Sequence, residues 1–382
     1  MVLAPGTHRV PRFLWAAILV LSVIATACRP VVAQPRQSSG FMPIPRITAG
    51  EPRSFLLGFS GLPAEPSVEG YVAAMDLAAN YGEVLLIQRA PSWDSFLNNR
   101  VSTELERRTL AERQALTERN LRLAYALDVF DPSSRGRLAD LPPEYEGRTL
   151  ADPALRRALV QNARFVALNY RPAFLILGVE VNATFESNPE AYAAFLEAYT
   201  EAYNEVKAAA PTTLVFPSFQ YEELMGVVPW EALHAPRWRL LEDFASRMDL
   251  FGITSYPSFV FQAARKIPAE YYTDAKAHVS VPIAFTAVGF ASGQTREGLN
   301  SSTPAEQRRY LLRVLGDADA LSSPLLIWFA GRDPARADSP PLDLIASIGL
   351  RTADDVAKDG WAAWEQAVNR PYAGTLVPEG RR

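Results

Sequence analysis

A glutamate and an asparagine that follow a strongly apolar run are the residues of this chain best suited to chemistry. The run is Phe174-Leu175-Ile176-Leu177, and Glu180 and Asn182 come shortly after it. A carboxylate at the end of a buried strand can exchange a proton with a bound ligand. A partner acid would be sought at the end of another strand, and the apolar segment 282–290 carries Ala287 there. The sequence therefore presents one candidate acid whose expected companion is an alanine.

Apolar runs alternate with longer helical patterns from Ser54 onward, and these elements must position the candidate acid. The runs are nearly continuous, which is typical of parallel strands covered on both faces. Strands are predicted at 55–59, 83–88, 122–127, 173–179, 212–216, 250–254, 282–286 and 325–329. Helices are predicted at 103–120, 154–169, 190–210, 305–318 and 352–368, several of them opened by an N-cap residue and a proline.

Eight strands alternating with helices predict an α/β fold, a single (β/α)₈ TIM barrel. The alternative is the two-domain α/β layout of solute-binding lipoproteins. That layout requires a crossover and a hinge in mid-chain, and the sequence contains no signal for either. In a barrel, the carboxyl ends of all the strands meet at one face, where a ligand would bind.

Polar and aromatic residues follow the predicted strands and define a candidate substrate site. They are Arg89, Trp93, Asp128, Asn182, Gln220, Glu222, Tyr256 and Trp328. A pyranose ring has an apolar face that stacks on aromatic rings and a rim of hydroxyl groups that form hydrogen bonds. The pattern therefore predicts a polysaccharide or oligosaccharide as the partner.

Three of these segments resemble one family closely enough to name it. Leu177-Gly178-Val179-Glu180-Val181-Asn182 resembles the fourth strand of the retaining glycoside hydrolase clan with (β/α)₈ barrels, which includes endo-β-1,4-galactanases and cellulase-like enzymes. Segment 249–257 resembles the sixth strand of that clan, and segment 282–292 resembles the seventh. The resemblance spans residues 55–333, which is most of the chain.

The resemblance implies roles for individual residues. Glu180 corresponds to the general acid/base, Tyr256 to a tyrosine beside the nucleophile, and Trp328 to the tryptophan that floors the sugar site. Ala287 stands where the clan has its nucleophilic glutamate, and Val179 stands where it has an asparagine that contacts the sugar. A retaining mechanism needs two carboxyl groups about 5–5.5 Å apart, and alanine supplies none. The resemblance thus predicts a glycan-binding barrel in which hydrolysis is weakened or lost, a pseudoenzyme candidate.

Two other functions remain open at this stage. An active glycosidase could use Glu180 as the acid and another carboxylate, such as Glu222 or Asp128, as the base of an inverting reaction; Asp131 and Asp333 are further candidates for that base. A structural envelope lipoprotein would bind no glycan. Glu180 could also form an ion pair with Arg89 across the barrel mouth instead of facing a ligand.

Composition argues against several other classes of function. The chain has 382 residues, three histidines and a formal net charge of −4. The histidines do not cluster with acids at metal-ligand spacing, so no metal is expected. The sequence has no glycine-rich phosphate loop, so no cofactor is expected. The acidic balance argues against nucleic acid as a partner.

The N-terminal residues predict export and lipid attachment. Arg9 and Arg12 precede an apolar run and small residues, which is the order of a secretory signal peptide in 1–27. Ile24-Ala25-Thr26-Ala27-Cys28 resembles the lipobox of bacterial lipoproteins, in which the cysteine is lipidated. An ordinary cleavable signal with an incidental cysteine, or an uncleaved anchor, is the alternative.

These patterns divide the chain into four parts. After the signal peptide come Cys28 and a proline-rich tether over 28–50, the barrel over 51–369, and a tail over 370–382. The predicted location is extracytoplasmic, lipid-anchored to the bacterial cell membrane, and the predicted state is a monomer.

Overall fold

The computed structural model describes residues 41–295, 298–337 and 342–375. The predicted signal peptide, Cys28 and the first part of the tether lie outside these ranges, as does most of the predicted tail. None of the helices in the described ranges is both long and apolar enough to cross a membrane.

Parallel strands form a nearly closed barrel, which confirms the predicted fold class. In chain order the strands are β1 (Leu56–Ser60), β2 (Val84–Arg89), β3 (Arg122–Leu127), β4 (Phe130–Asp131), β5 (Ser134–Leu138), β6 (Phe174–Leu177), β7 (Leu214–Phe216), β8 (Ser218–Gln220), β9 (Phe251–Ser255), β10 (Ile283–Val288) and β11 (Leu325–Trp328). β4 and β5 form a separate antiparallel hairpin. The others pair in the order β7-β6-β3-β2-β1-β11-β10-β9-β8.

The fifth barrel strand is divided into β7 and β8 by Pro217. β7 pairs with β6, whereas β8 pairs with β9, so the two pieces lie at the two ends of the nine-stranded sheet. Proline lacks the N–H group that a continuous ladder requires. The barrel therefore closes through one strand that changes its partner at Pro217.

Alternation along each strand decides which side chains face the barrel interior. Thr254 of β9 donates a hydrogen bond to Glu180, whereas its neighbour Ser255 bonds Tyr272 on the outer side of the strand. Phe285 of β10, in register with Ile253, also contacts Tyr272. Successive strand residues point to opposite faces, so a shift of one residue moves a side chain from the site to the helix layer.

The described helices surround the barrel. They are α1 (Val68–Tyr81), α2 (Trp93–Leu97), α3 (Thr103–Glu118), α4 (Pro153–Asn169), α5 (Val181–Ser187), α6 (Pro189–Ala209), α7 (Tyr221–Leu224), α8 (Pro304–Ala320) and α9 (Trp361–Asn369). The side chains of Asp152, Asn188 and Thr303 cap α4, α6 and α8, each of which has proline in its first turn. Such caps stabilise a helix by about 1 kcal/mol each.

Three features differ from the predictions. The predicted helix 352–368 begins only at Trp361, because Thr352 bonds the backbone of Val356 in a turn instead. The short 3₁₀ segments between β9 and β10 were not predicted, and no helix was predicted there. The hairpin of β4 and β5 was not predicted, because its strands are too short to give a period.

The ends of the described chain are packed on the barrel rather than extended. Arg46, in the predicted tether, donates to the carbonyl of Ala79 at 2.7 Å, and Ala49 donates to Asn369 at 2.9 Å. Arg370, in the predicted tail, forms an ion pair with Asp319 at 2.7 Å. The predicted tether and tail therefore overlap the folded body by several residues at each end.

Candidate active site at the barrel mouth

Glu180 lies at the carboxyl end of the fourth barrel strand, the end that is called the barrel mouth below. Its backbone has a φ of 52°, a left-handed conformation that is uncommon outside glycine. Its Oε2 accepts from Arg135 Nη2 at 2.7 Å, and its Oε1 accepts from Thr254 Oγ1 at 2.9 Å. Both oxygens of the Glu180 carboxyl group therefore have hydrogen-bond donors from the barrel itself.

Arg135 is the cation of the barrel mouth, and sequence reasoning missed it. It projects from β5, and its side chain is only 1% exposed. Nη1 donates to Asp128 Oδ1 at 2.6 Å, so one guanidinium bridges Asp128 and Glu180. The turn residues Asp131-Pro132-Ser133 indicate a reversal of the chain there. Nothing in the sequence indicates which arginine of the hairpin faces inward.

Asp128 is held in this cluster instead of facing a ligand. Its second oxygen accepts from Gln88 Nε2 at 2.8 Å. Burial raises the pKa of Asp128, although Arg135 opposes that shift. The predicted substrate-binding and base roles of Asp128 are corrected here, because both of its oxygens already have partners.

Trp93 supports the hairpin and does not form a sugar platform. It is 2% exposed, and its Nε1 donates to the carbonyl of Ala139 at 2.7 Å. Asn188 fixes the hairpin from the other side by donating to the carbonyl of Gly136 at 3.1 Å. The prediction that Trp93 contacts substrate is corrected, because α2 turns its ring into the core. Both contacts hold Arg135 in the mouth.

Arg89 lies on the outer side of β2 and does not reach Glu180. Its guanidinium bonds both oxygens of Glu112 in α3, at 2.5 and 2.9 Å. Its neighbour Gln88 is the residue that faces inward, toward Asp128. The predicted ion pair between Arg89 and Glu180 is wrong, as is a substrate role for Arg89 at the mouth, because strand alternation places Arg89 against the helices.

Ala287 lies on β10 in register with Thr254 of the neighbouring strand. An irregularity between Phe285 and Ala287 shifts the register, and beyond it Val288 pairs with Ser255, whose side chain lies on the outer side of the strand. Ala287, the residue before Val288, therefore projects to the inner face, as Thr254 does. The methyl group of Ala287 therefore lies beside the threonine whose hydroxyl contacts Glu180. Ala287 is 3% exposed. The assignment of residue 287 to the position of the nucleophile stays a prediction of the resemblance.

Tyr256 presents a buried hydroxyl beside this position. Its Oη has no hydrogen-bond partner among the described residues, and the residue is 3% exposed. Burial raises the pKa of Tyr256 well above its ordinary value, and the nearby Glu180 carboxylate adds to the shift. A buried hydroxyl without a partner costs about 1–3 kcal/mol. Tyr256 thus retains a donor that a carboxylate at position 287 could satisfy.

Trp328 belongs to the core and not to the mouth. It is fully buried, its ring lies 6.0 Å from that of Tyr310 in α8, and its Nε1 donates to the carbonyl of Ile348. The prediction that Trp328 forms the floor of a sugar site is corrected, because its side chain faces the helix layer. The next residue, Phe329, is the aromatic that meets Tyr256, with ring centroids 6.0 Å apart.

Asn182 and Gln220 bond each other and so fasten the ends of the fourth and fifth strands. The backbone N–H of Gln220 donates to Asn182 Oδ1 at 2.8 Å, and Asn182 Nδ2 donates to the Gln220 carbonyl at 3.0 Å. The Gln220 side chain caps α7 through the N–H of Glu223 at 2.6 Å. Their predicted contacts with substrate are replaced by these internal hydrogen bonds.

Glu222 is fully buried and faces away from Glu180. Its carboxylate accepts from Ser255 Oγ at 2.5 Å, from the N–H of Tyr256 at 3.1 Å and from Gln220 Nε2 at 2.6 Å. Burial raises the pKa of Glu222 to about 7, against the effect of these hydrogen bonds. The proposed roles of Glu222 as base and as substrate ligand are corrected, because Ser255 lies on the outer side of β9.

Glu223, the other member of this doublet, is the residue that sequence reasoning missed. It is 2% exposed; Oε2 accepts from Asn182 Nδ2 at 3.4 Å, and Oε1 has no partner among the described residues. Burial raises the pKa of Glu223 well above its ordinary value, with the charges of Glu231 and Glu180 adding to the shift and Arg135 opposing it. Glu223 is therefore a buried carboxyl group with a raised pKa, close to the cluster of Glu180.

This shift predicts a pH dependence of stability. Because the folded state raises the pKa of Glu223, its contribution is fully present below the unfolded pKa of 4.5 and is lost as the pH rises. Glutamine does not ionise, so the Glu223→Gln variant does not lose this contribution to stability as the pH rises. The free energy of unfolding of the variant, relative to the unchanged protein, should increase with pH by up to about 1.4 kcal/mol per pH unit.

Urea denaturation of both proteins from about pH 5 to about pH 9 measures this difference. The same series with Glu51→Gln, which changes an exposed glutamate, is the control and should give a constant difference. A constant difference for Glu223→Gln as well would contradict the raised pKa of Glu223.

The remaining acids suggested for catalysis have partners elsewhere. Asp131 bonds Ser133 within the hairpin turn, and Asp333 forms an ion pair with Lys358 at 2.6 Å. Across the described residues, no group of three or more His, Cys, Asp or Glu side chains is placed to hold a metal ion.

Known structures share this fold at low sequence identity. The exo-beta-1,4-mannosidase from Opitutaceae bacterium strain TAV5 has a TM-score of 0.64 at 17% identity, over 87% of this chain. This chain spans 61% of the length of that mannosidase. Xylanase 10B from Thermotoga maritima has a TM-score of 0.58 at 11% identity, covering 82% of this chain and 95% of the xylanase.

A third structure was solved with a bound disaccharide. It is a variant of GH5_18 from Streptomyces cattleya in complex with Manb1-4GlcNAc, with a TM-score of 0.60, 16% identity, and coverage of 83% of this chain and 79% of that chain. No protein-family model matches the sequence, and no curated protein matches it. At these identities, the similarity shows the (β/α)₈ barrel fold alone.

Proposed function

We propose that this barrel binds a β-linked glycan at its mouth and does not carry out retaining hydrolysis at a useful rate. One observation carries the proposal. The methyl group of Ala287 projects beside Thr254, whose hydroxyl contacts Glu180. A retaining mechanism requires a nucleophilic carboxylate opposite the acid/base at about 5–5.5 Å. With a methyl group in that position, no glycosyl–enzyme bond can form.

The state of Glu180 adds a second obstacle to hydrolysis. An acid catalyst must give a proton to the leaving oxygen. Glu180 accepts hydrogen bonds on both oxygens, and Arg135 lies 2.7 Å from one of them. Proton donation would require the guanidinium to move away, and two contacts hold the hairpin that carries it.

Binding of glycan is supported by the fold and by the chemistry of the face around the mouth. An exo-beta-1,4-mannosidase has this fold, and so does a GH5_18 variant that was solved in complex with Manb1-4GlcNAc. Partly exposed aromatic rings and buried carboxyl groups lie at the carboxyl ends of the fifth and sixth strands. Rings of this kind stack on pyranose faces, and carboxyl groups bond their hydroxyls.

We further propose that the chain acts outside the cytoplasm, tethered to the cell envelope as a monomer through a lipid on Cys28. The support is the order of charged, apolar and small residues before Cys28. Metabolic labelling with a palmitate analogue should label the unchanged protein and should not label the Cys28→Ala variant. Equal labelling of both proteins would contradict the anchor.

A glycan panel tests binding and turnover together. Immobilised β-mannan, xylan, galactan and cellulose, and soluble Manb1-4GlcNAc, are assayed for binding and for reducing-end release. The expected result is binding to at least one glycan without release. Release that disappears in Glu180→Gln would favour an active glycosidase. Absence of binding by a folded protein to every glycan would favour a structural role.

A further inference from the structure

The loop after the fifth barrel strand, residues 226–237, is closed at its base and rises from the mouth face. His234 donates to the carbonyl of Gly226 at 3.2 Å, and Arg237 donates to that of Leu224 at 2.9 Å. Gly226 has a φ of 69°, and a Cβ there would lie 2.2 Å from the His234 carbonyl oxygen. Only glycine fits this base, so the loop leaves the barrel in a defined direction.

The loop brings Trp230 against Phe259, which follows the sixth strand. Their ring centroids are 5.5 Å apart and the planes meet at 89°. Both rings are half-buried. Phe259 is fixed by the hydrogen bond from its N–H to the carbonyl of Tyr256 at 3.1 Å. Because loops after barrel strands lie on the mouth face, this aromatic pair borders the mouth.

Glu231 follows Trp230 on this loop and is half-buried. It contributes to the raised pKa of Glu223, so it lies near that buried carboxyl group. The loop therefore carries an apolar wall and a partly exposed carboxyl group, and a pyranose is bound by apolar rings and hydrogen-bonding groups.

We propose that a sugar ring of the bound glycan stacks on the wall formed by Trp230 and Phe259. This assignment rests on the proposed glycan binding and locates its contact surface. It places recognition over the fifth and sixth strands rather than at Trp93 and Trp328, which are buried.

Affinity measurements on variants of the full chain test the assignment, using the glycan that the unchanged protein binds in the panel. Trp230→Ala and Phe259→Ala should each weaken binding by at least about tenfold, as truncation of a central aromatic contact does. Tyr145→Ala is the matched control, since Tyr145 is also half-buried but contacts Arg148. The control should bind as the unchanged protein does.

Circular dichroism and the urea midpoint verify folding of every variant. Unchanged affinity in folded Trp230→Ala or Phe259→Ala would overturn this assignment alone. Absence of binding by the unchanged protein would overturn the proposed function with it.

Discussion

The Ala287→Glu variant should cleave activated aryl β-glycosides at least about a hundredfold faster than the unchanged protein, because it supplies the missing nucleophile. A dinitrophenyl leaving group needs no proton from an acid, so the ion pair of Glu180 with Arg135 does not limit this reaction. The introduced carboxylate would project beside Thr254. It could accept a hydrogen bond from the buried hydroxyl group of Tyr256, which has no partner among the described residues.

Ala287→Gln is the control for this experiment, because it adds the same bulk without a nucleophile. Dinitrophenol release by β-mannoside, β-xyloside and β-glucoside substrates is followed by absorbance. Mass spectrometry should detect a glycosyl adduct on the glutamate variant. Equal rates for the glutamate and glutamine variants, both folded, would mean that residue 287 does not face the sugar-binding side of the barrel.

Arg135→Met should lower the free energy of unfolding by about 3–5 kcal/mol, because it leaves two buried carboxylates without their cation. Asp128 and Glu180 are 5% and 6% exposed, and Arg135 contacts both, at 2.6 and 2.7 Å. Adding Asp128→Asn and Glu180→Gln to Arg135→Met removes the uncompensated charges. The triple variant should therefore recover most of the lost stability.

Arg137→Met is the matched control on the same hairpin. Arg137 is 64% exposed and forms a 3.2 Å ion pair with Asp131, so its loss should change stability by less than about 1 kcal/mol. Urea denaturation at one pH measures the free energy of unfolding of Arg135→Met, of the triple variant and of Arg137→Met, each relative to the unchanged protein. A similar small loss for Arg135→Met and Arg137→Met would show that the guanidinium does not hold the mouth together.

The barrel could be predicted because buried parallel strands are continuous apolar runs. Seven of the eight predicted strands are single strands in the structure. For the fifth strand, the prediction missed the interruption at Pro217. Glu180 could also be located, since a carboxylate after such a run is conspicuous. The hairpin of β4 and β5 could not. It is short, and the inward direction of Arg135 depends on contacts with Asn188 and Trp93 that are distant in sequence.

Three of the misplaced site residues differ from the correct ones by a single position. Gln88 rather than Arg89 faces the interior, and Phe329 rather than Trp328 contacts Tyr256. Glu223 rather than Glu222 lies near Asn182. A strand that is apolar on both faces carries no alternation to indicate which residue points inward. The sequence therefore located the ends of the strands but not the direction of each side chain.

Reducing-end release with the unchanged protein in stoichiometric excess over a glycan that it binds tests the central claim most directly. The account predicts that the bound glycan is recovered intact, because the position facing Glu180 carries the methyl group of Ala287 and not a carboxylate. Release of new reducing ends from the bound glycan, abolished by Glu180→Gln, would contradict it.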